Sequence, residues 1–204
     1  FDQAKGRAQL RMAAGWIEGA LGLSEPRLVI DKGQADVEWQ RNATGFDLKF
    51  KDVQLRNADG AAEASGSWSA AKGDQPWPGV LDLKAKILRI EARQLHRYLP
   101  VAIDAGVRDY LRLALLRGQG LQADVRIKGD LNHFPFRQKE QGEFHIRGQI
   151  KDLGYAYVPP SATAAAATRV AALANEWPAL NSANGEIIIE RAGLLIKNAK
   201  ARMA

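Results

Sequence analysis

The sequence predicts an α+β fold that is predominantly β, with curved antiparallel sheet forming an apolar groove or a sandwich and amphipathic helices packed on it. Three observations carry this expectation. Apolar and charged residues alternate one by one over many short runs, as in Leu121, Ala123, Val125 and Ile127 set against Gln122, Asp124, Arg126 and Lys128; a period of two places the two sets on opposite faces of a strand. Turn-forming residues separate these runs, as in Asn57-Ala58-Asp59-Gly60 and Gly129-Asp130. The period changes to three and four over Val101, Ile103, Val107, Tyr110, Leu111, Ala114 and Leu115, which is the stripe of an amphipathic helix.

In chain order, residues 3–22 read as a helix with Leu10, Ala13, Ala14, Ile17 and Leu21 on one side. From Arg27 onward the pattern is β. Leu28 and Ile30 make a short strand, and Ala35, Val37 and Trp39 alternate with Asp36, Glu38 and Gln40. Phe46, Leu48 and Phe50 continue the pattern on even numbers, whereas Val53 and Leu55 continue it on odd ones. A one-residue slip at Lys51-Asp52 within a regular strand predicts a β-bulge. Ala62, Ala64, Gly66 and Trp68 form a small-residue strand, residues 71–79 a loop, and Leu81 to Ile90 a further strand that ends near a short helical segment, Ala92 to Leu99.

Pro100 then suits a first helical turn, because its missing N–H has no partner to lose there. The helix spans about Ile103 to Leu116, with Asp104 and Arg108 placed as an i,i+4 ion pair and Gly118 and Gly120 closing it. The strand 121–128 follows, and then Phe134-Pro135-Phe136. Phe144, Ile146, Gly148 and Ile150 alternate with charged or polar neighbours, and Tyr155 and Tyr157 extend that strand. Residues 161–176 are alanine-rich and helix-forming, reading as a spacer helix. Glu186 to Glu190 and Leu194 to Ala201 flank Gly193 and should pair as a hairpin.

At 204 residues the chain suffices for one large domain or two small ones, and it opens on Phe1, which suggests a piece of a longer protein. It reads as a single fragment, 1–204, of a larger elongated β-rich protein, with submodules 1–91 (N-terminal helix plus sheet) and 92–204 (helix plus sheet with the insert 161–176). The absence of cysteine excludes disulfides and thiolate metal sites. No run reaches the ~18 apolar residues of a membrane-spanning helix. The net charge of +6 interleaves both signs without a basic cluster, which fits solvated strand faces.

Catalytic chemistry has little support. His96, His133 and His145 have no ligand spacing, no serine sits in G-x-S-x-G, and no glycine-rich turn follows a strand into a helix. Asp104 and Asp109 fall well over 100° apart around a helix, so they do not face each other. In 144–151 the apolar and basic residues project to opposite faces, whereas a nucleic-acid platform needs aromatic and basic groups together. No cofactor, no metal and no nucleic-acid partner is expected. What remains is architecture: roughly eight strands, each with one apolar face, and few helices to cover them. Either two sheets close on each other, or one sheet wraps its apolar face into a trough suited to acyl chains.

The segments FKDVQLRNADG, ASGSW, LDLKAKILRIEARQLHRYLP, VRDYLRLALLRG, KGDLNHFPF, WPAL and NGEIIIERAGLLI, taken in this order, resemble those of the YhdP branch of the AsmA-like bacterial envelope proteins. The resemblance runs from about Val29 to Met203. It implies a bridge-like protein that carries phospholipid between inner and outer membrane through an apolar β groove, without catalysis. It also implies a periplasmic location, with anchoring in the inner membrane by segments outside 1–204. On that footing the groove candidates are Leu121, Val125, Ile127, Phe144, Ile146, Ile150, Ile187 and Ile189. The alternative from another class is a structural or protein-interaction scaffold of the cell envelope whose apolar faces are simply core.

Overall fold

The computed structural model describes residues 4–18, 22–42, 45–70, 77–101, 103–159, 177 and 179–203. Its main body is one antiparallel sheet of nine strands. In chain order the strands are β1 (Ala4–Met12), β2 (Gly15–Glu18), β3 (Arg27–Ile30), β4 (Lys32–Asn42), β5 (Gly45–Arg56), β6 (Gly60–Ser69) and β7 (Val80–Glu91). A 3₁₀ segment, Ala92–Tyr98, and helix α1 (Ala105–Ala114) intervene before β8 (Leu115–Asp130), β9 (Gly142–Tyr155), β10 (Leu180–Glu190) and β11 (Gly193–Met203). The sheet order is β1-β4-β5-β6-β7-β8-β9-β10-β11, and β2 pairs with β3 as a separate hairpin. Hydrogen bonding runs unbroken past Glu91, because β7 pairs with β8 along its length.

This sheet is curved and unclosed, with β1 and β11 as its outer strands. Among the described residues no second sheet completes a sandwich. Burial agrees: the buried apolar side chains are Leu28, Ile30, Ala92, Ala114, Leu115, Ala123 and Phe136, where a sealed sandwich would bury a row from every strand.

The bend has a local cause. Asp52, Gln122, Asp152, Ser182 and Asn198 all adopt positive φ between 47° and 53°, a region that polar Asn and Asp tolerate better than most residues. Register shifts mark each site: Phe50/Val53 on β5–β6, Leu121/Asp124 on β8–β9, and Asn184/Glu186 on β10–β11 are examples. These are β-bulges, and a bulge bends its strand and sharpens the twist. Each lies in the half of its strand nearer the helical segment, so the strands bend together. The slip expected at Lys51-Asp52 is one of them. Gly118 belongs to the same region, with φ +102 and no room for a side chain, since an added Cβ would sit 2.5 Å from Leu153 Cα.

Several sequence expectations need correction. Residues 4–12 and 15–18 are strands, not a helix. Lys5, Arg7, Gln9 and Arg11 alternate with Gly6, Ala8, Leu10 and Met12, and pairing of all nine residues with β4 outweighs the helix propensity of this composition. Pro100 makes a bridge with Leu23 instead of opening a helix. The helix is shorter than expected, and strand geometry begins at Leu115, so Gly118 and Gly120 lie within β8. Asp104 is its N-cap, accepting from Gly106 N at 2.8 Å and Val107 N at 3.3 Å. Arg108 therefore does not pair with it. The guanidinium donates instead to Ile103 O at 2.9 Å and Ser24 Oγ at 3.0 Å. The stripe is only partly covered: Ala114 and Leu115 are buried, Leu111 half-buried, and Val107 48% exposed. The alanine-rich 161–176 lies outside the described residues.

Polar contacts fix the helical segment to the β5–β6 turn. Arg97 Nη1 donates to Asp59 Oδ2 at 2.5 Å and Tyr98 OH to the same oxygen at 2.8 Å, while Asn57 Nδ2 donates to Tyr98 OH. Burial, with Asp59 as a further cause, pushes the Tyr98 hydroxyl up to about 12, so it stays a donor at neutral pH.

At the opposite end of the strands, Phe136 is the one large side chain among the described residues that is wholly enclosed. Truncation there should be the severest single loss in the fold. Phe136→Ala is expected to cost ~3–5 kcal/mol, read as a lower denaturant midpoint at unchanged m-value; a cost under ~1 kcal/mol would contradict its role as anchor.

Candidate functional site: an apolar trough

Cross-strand partners share a face of a sheet, so the pairings assign every strand position to one side. One row runs Ala8, Val37, Phe50, Gly66, Leu83, Ile127, Phe144. A parallel row runs Gly6, Trp39, Leu48, Trp68, Leu81, Gly129. Two further rows run Ala64, Ala85, Val125, Ile146, Ile189, Leu194 and Ala62, Ile87, Ala123, Gly148, Ile187, Ile196. Every strand of the sheet thus contributes to one apolar face. Its members are mostly half-exposed, and on β11 Leu194 and Ile196 are 64% and 50% exposed. A cleft between β1, β4, β5 and β6 includes Gly6, Trp39, Leu48 and Trp68 in its lining.

Large and small residues interlock along this face. Trp39 lies over Gly6, whose hypothetical Cβ would come within 2.2 Å of the indole, and Phe50 lies over Gly66. Ala123 fills the space beside Gly148, where an added Cβ would be 2.5 Å away. Aromatic groups mark both ends of the strands. At one end Trp68 packs on Phe46 and Trp77, and its indole N–H donates to Pro78 O at 2.8 Å. At the other, Tyr110 and Tyr155 share a 2.6 Å hydroxyl hydrogen bond, and Tyr157 packs against Tyr155 and Trp177. Burial, and the hydrogen bond shared with Tyr110, hold the Tyr155 hydroxyl above its ordinary pKa.

The opposite face is ionic. Arg126 bridges Asp82 on β7 and Glu143 on β9, the latter at 3.2 Å, and Arg147 pairs with Glu186. Lys86 lies 3.9 Å from Asp124. The Arg126 guanidinium beside Asp82 holds that carboxyl below the usual range. Charges of alternating sign across neighbouring strands keep this face wet while the other stays apolar.

Seven of the eight sequence-derived candidates come together. Val125, Ile127, Phe144, Ile146, Ile150, Ile187 and Ile189 all fall on the apolar face. Leu121 does not join them. It pairs with Arg89 and Gln149, because the bulge at Gln122 reverses the alternation between 121 and 123. Sequence reasoning passed over the contribution of β1 and of β4–β7, including Trp39, Leu48, Phe50, Trp68 and Leu83. The signal was present in their alternation, but reading 3–22 as a helix removed the edge that continues it. Among the described residues no group of three or more His, Asp or Glu side chains converges as a metal site requires. No helix there is long and apolar enough to cross a membrane.

A single-layer curved sheet with a continuous, half-open apolar face and an ionic back defines a class: the trough-forming β-sheet proteins. The family model described as YhdP protein matches residues 1–204, and the chain belongs to that family. A curated relative, the intermembrane phospholipid transporter YhdP of Escherichia coli strain K12, is 26% identical over 171 residues. That match covers 83% of this chain and 12% of the relative's length. No solved structure matches the chain.

The ionic face yields a test. A carboxylate with a depressed folded pKa contributes stability above its unfolded pKa and loses it as pH falls through the folded value. Half-exposed, Asp82 should contribute no more than ~0.2–1 kcal/mol. Asp82→Asn should therefore lower stability by about that amount at pH 7, with the difference from wild type shrinking as pH falls through the depressed folded pKa of Asp82. A difference that persists unchanged in acid would contradict the pairing with Arg126.

Proposed function

We propose that this chain is one segment of a larger, elongated envelope protein that moves phospholipid between the inner and outer membranes. In this reading the acyl chains lie along the apolar trough, crossing the strands from β1 towards β11. The segment stands in the periplasm, and parts of the protein outside 1–204 anchor it in the inner membrane. It performs no catalysis. The observation that carries the reading is the half-open apolar face shared by all nine strands, and family membership directs it towards phospholipid.

The energetics suit a conduit. Removing an acyl chain from water is worth ~0.8 kcal/mol per CH₂, or on the order of 10 kcal/mol for a whole chain. A lipid in a membrane already has that stabilisation, so transfer into an apolar trough is close to neutral. Loading therefore costs little and release costs little. Hydrogen-bonded strands hold the trough open without help from the cargo, because every interior strand pairs on both edges.

Val125→Glu separates this reading from a sealed structural core. Val125 sits between Ala85 and Ile146 on the apolar face. In an open trough water reaches the new carboxylate, so the variant should fold at a cost under ~2 kcal/mol and lose co-extracted phospholipid. In a sealed core an unpaired buried charge costs ~3–5 kcal/mol, and an unfolded variant would support a scaffold. Thermal melting and lipid extraction on the same preparation read both outcomes.

A further inference from the structure

The loop between β8 and β9 turns back onto the apolar face. Phe136 lies on Gly129 and Gly142, a directly paired couple: Cβ atoms added there would stand 2.9 Å and 3.0 Å from its ring. Only glycine at both positions leaves room for the ring, and Phe136 is 0% exposed. Phe134 packs against it edge to face at 5.8 Å and lies tilted against Phe144 at 4.8 Å between centroids. Leu131 N donates to Gly79 O at 2.9 Å, tying the loop to the start of β7. Phe134 thus stands as a second aromatic layer on Phe144, held by a neighbour that cannot move without opening a cavity.

On the far side of the same two strands the face is as thin as side chains allow. Ala123 and Gly148 are adjacent, and a side chain added at Gly148 would run into Ala123 at 2.5 Å. A wall one ring thick on one side and a minimal floor on the other displace any path across β8 and β9 towards Ala123 and Gly148. Over β6 a second aromatic also stands, Trp77 packed on Trp68 at 4.8 Å between centroids, whereas among the described residues no second ring packs on Phe50 of β5.

We propose that Phe134 is the width-setting residue of the trough, a fixed constriction at β8–β9 that admits slender, unbranched acyl chains and discriminates against methyl-branched ones. This rests on the lipid-carrying reading above. Its physical basis is that a close-packed aromatic wall rejects added methyl groups, because accommodating them forces strained side chains or backbone shifts.

The test uses the full-length protein with a photo-crosslinking residue at Ile146, beside the constriction, or at Phe50, away from it. Liposomes of dioleoyl-phosphatidylglycerol and of diphytanoyl-phosphatidylglycerol serve as probes. At Ile146 the straight-chain lipid should be captured several-fold better than the branched one, and at Phe50 the two should be captured alike. Phe134→Ala should abolish the preference at Ile146, and Phe134→Trp should reduce capture of both lipids there. Phe134→Leu provides the same relief in a milder form if the alanine variant melts early. Equal capture of the two lipids at Ile146 in the wild type, or a preference that survives both smaller variants, overturns the constriction while leaving the carrier intact. Absence of capture at Phe50 and Ile146 alike overturns the carrier reading and the constriction with it.

Discussion

The structure depends on strand alternation being kept in register across nine strands. Because side chains alternate with a period of two, a one-residue slip anywhere would carry an apolar row to the ionic side. The bulges at Asp52, Gln122, Asp152, Ser182 and Asn198 are such slips, and they are tolerated because neighbouring strands compensate. Leu88 on β7 is an extra residue relative to β6, and β8 takes its own extra residue at Gln122 beside it, so the register of β7 and β8 is preserved. The apolar face therefore remains continuous through the bend, at the cost of Leu121 passing to the side of Arg89 and Gln149.

Two consequences follow for the way the fold is stabilised. Hydrophobic burial is modest for a chain of this size, since the apolar face is only half-covered, so ladder hydrogen bonds and cross-strand contacts carry more of the stability than in a sandwich. Apart from Ala123 in the middle of β8, the few enclosed groups sit at the strand ends. Leu28, Ile30, Ala92, Ala114 and Leu115 gather around the helical segment, and Phe136 lies at the other end. These clusters brace the sheet at its margins and leave its middle free. Ion pairs such as Arg126 with Asp82 and Glu143 act on the opposite face, where solvent limits each to a small contribution.

Much of this was legible in the sequence because alternation is a local signal. The strands around Val37, Phe50, Leu83, Val125, Ile146 and Ile189 follow from it directly, as does the bulge at Asp52. What stayed hidden depends on partners. Residues 4–12 have helix-forming composition, and only β4 alongside makes them a strand. Leu121 continues the apolar pattern in sequence yet faces away, because the positive φ of Gln122 is a property of the assembled sheet. Whether the apolar faces met each other or stayed open was beyond periodicity, since both arrangements share one pattern. The seat of Phe136 over a glycine pair, with Phe134 edge-on to it, likewise needed the β8–β9 pairing to bring Gly129 and Gly142 together.

The central claim is that the two faces of this sheet differ in what they touch: lipid on one, water on the other. Ile127 and Lys128 are chain neighbours on opposite faces, so they share backbone position and differ in orientation alone. A photo-crosslinking residue placed at each in turn, in cells carrying the full-length protein, with adducts identified by mass spectrometry, compares the faces directly. Phospholipid adducts at 127 and none above background at 128 are the predicted result. Equal labelling at both positions, or no lipid at 127, would contradict the account.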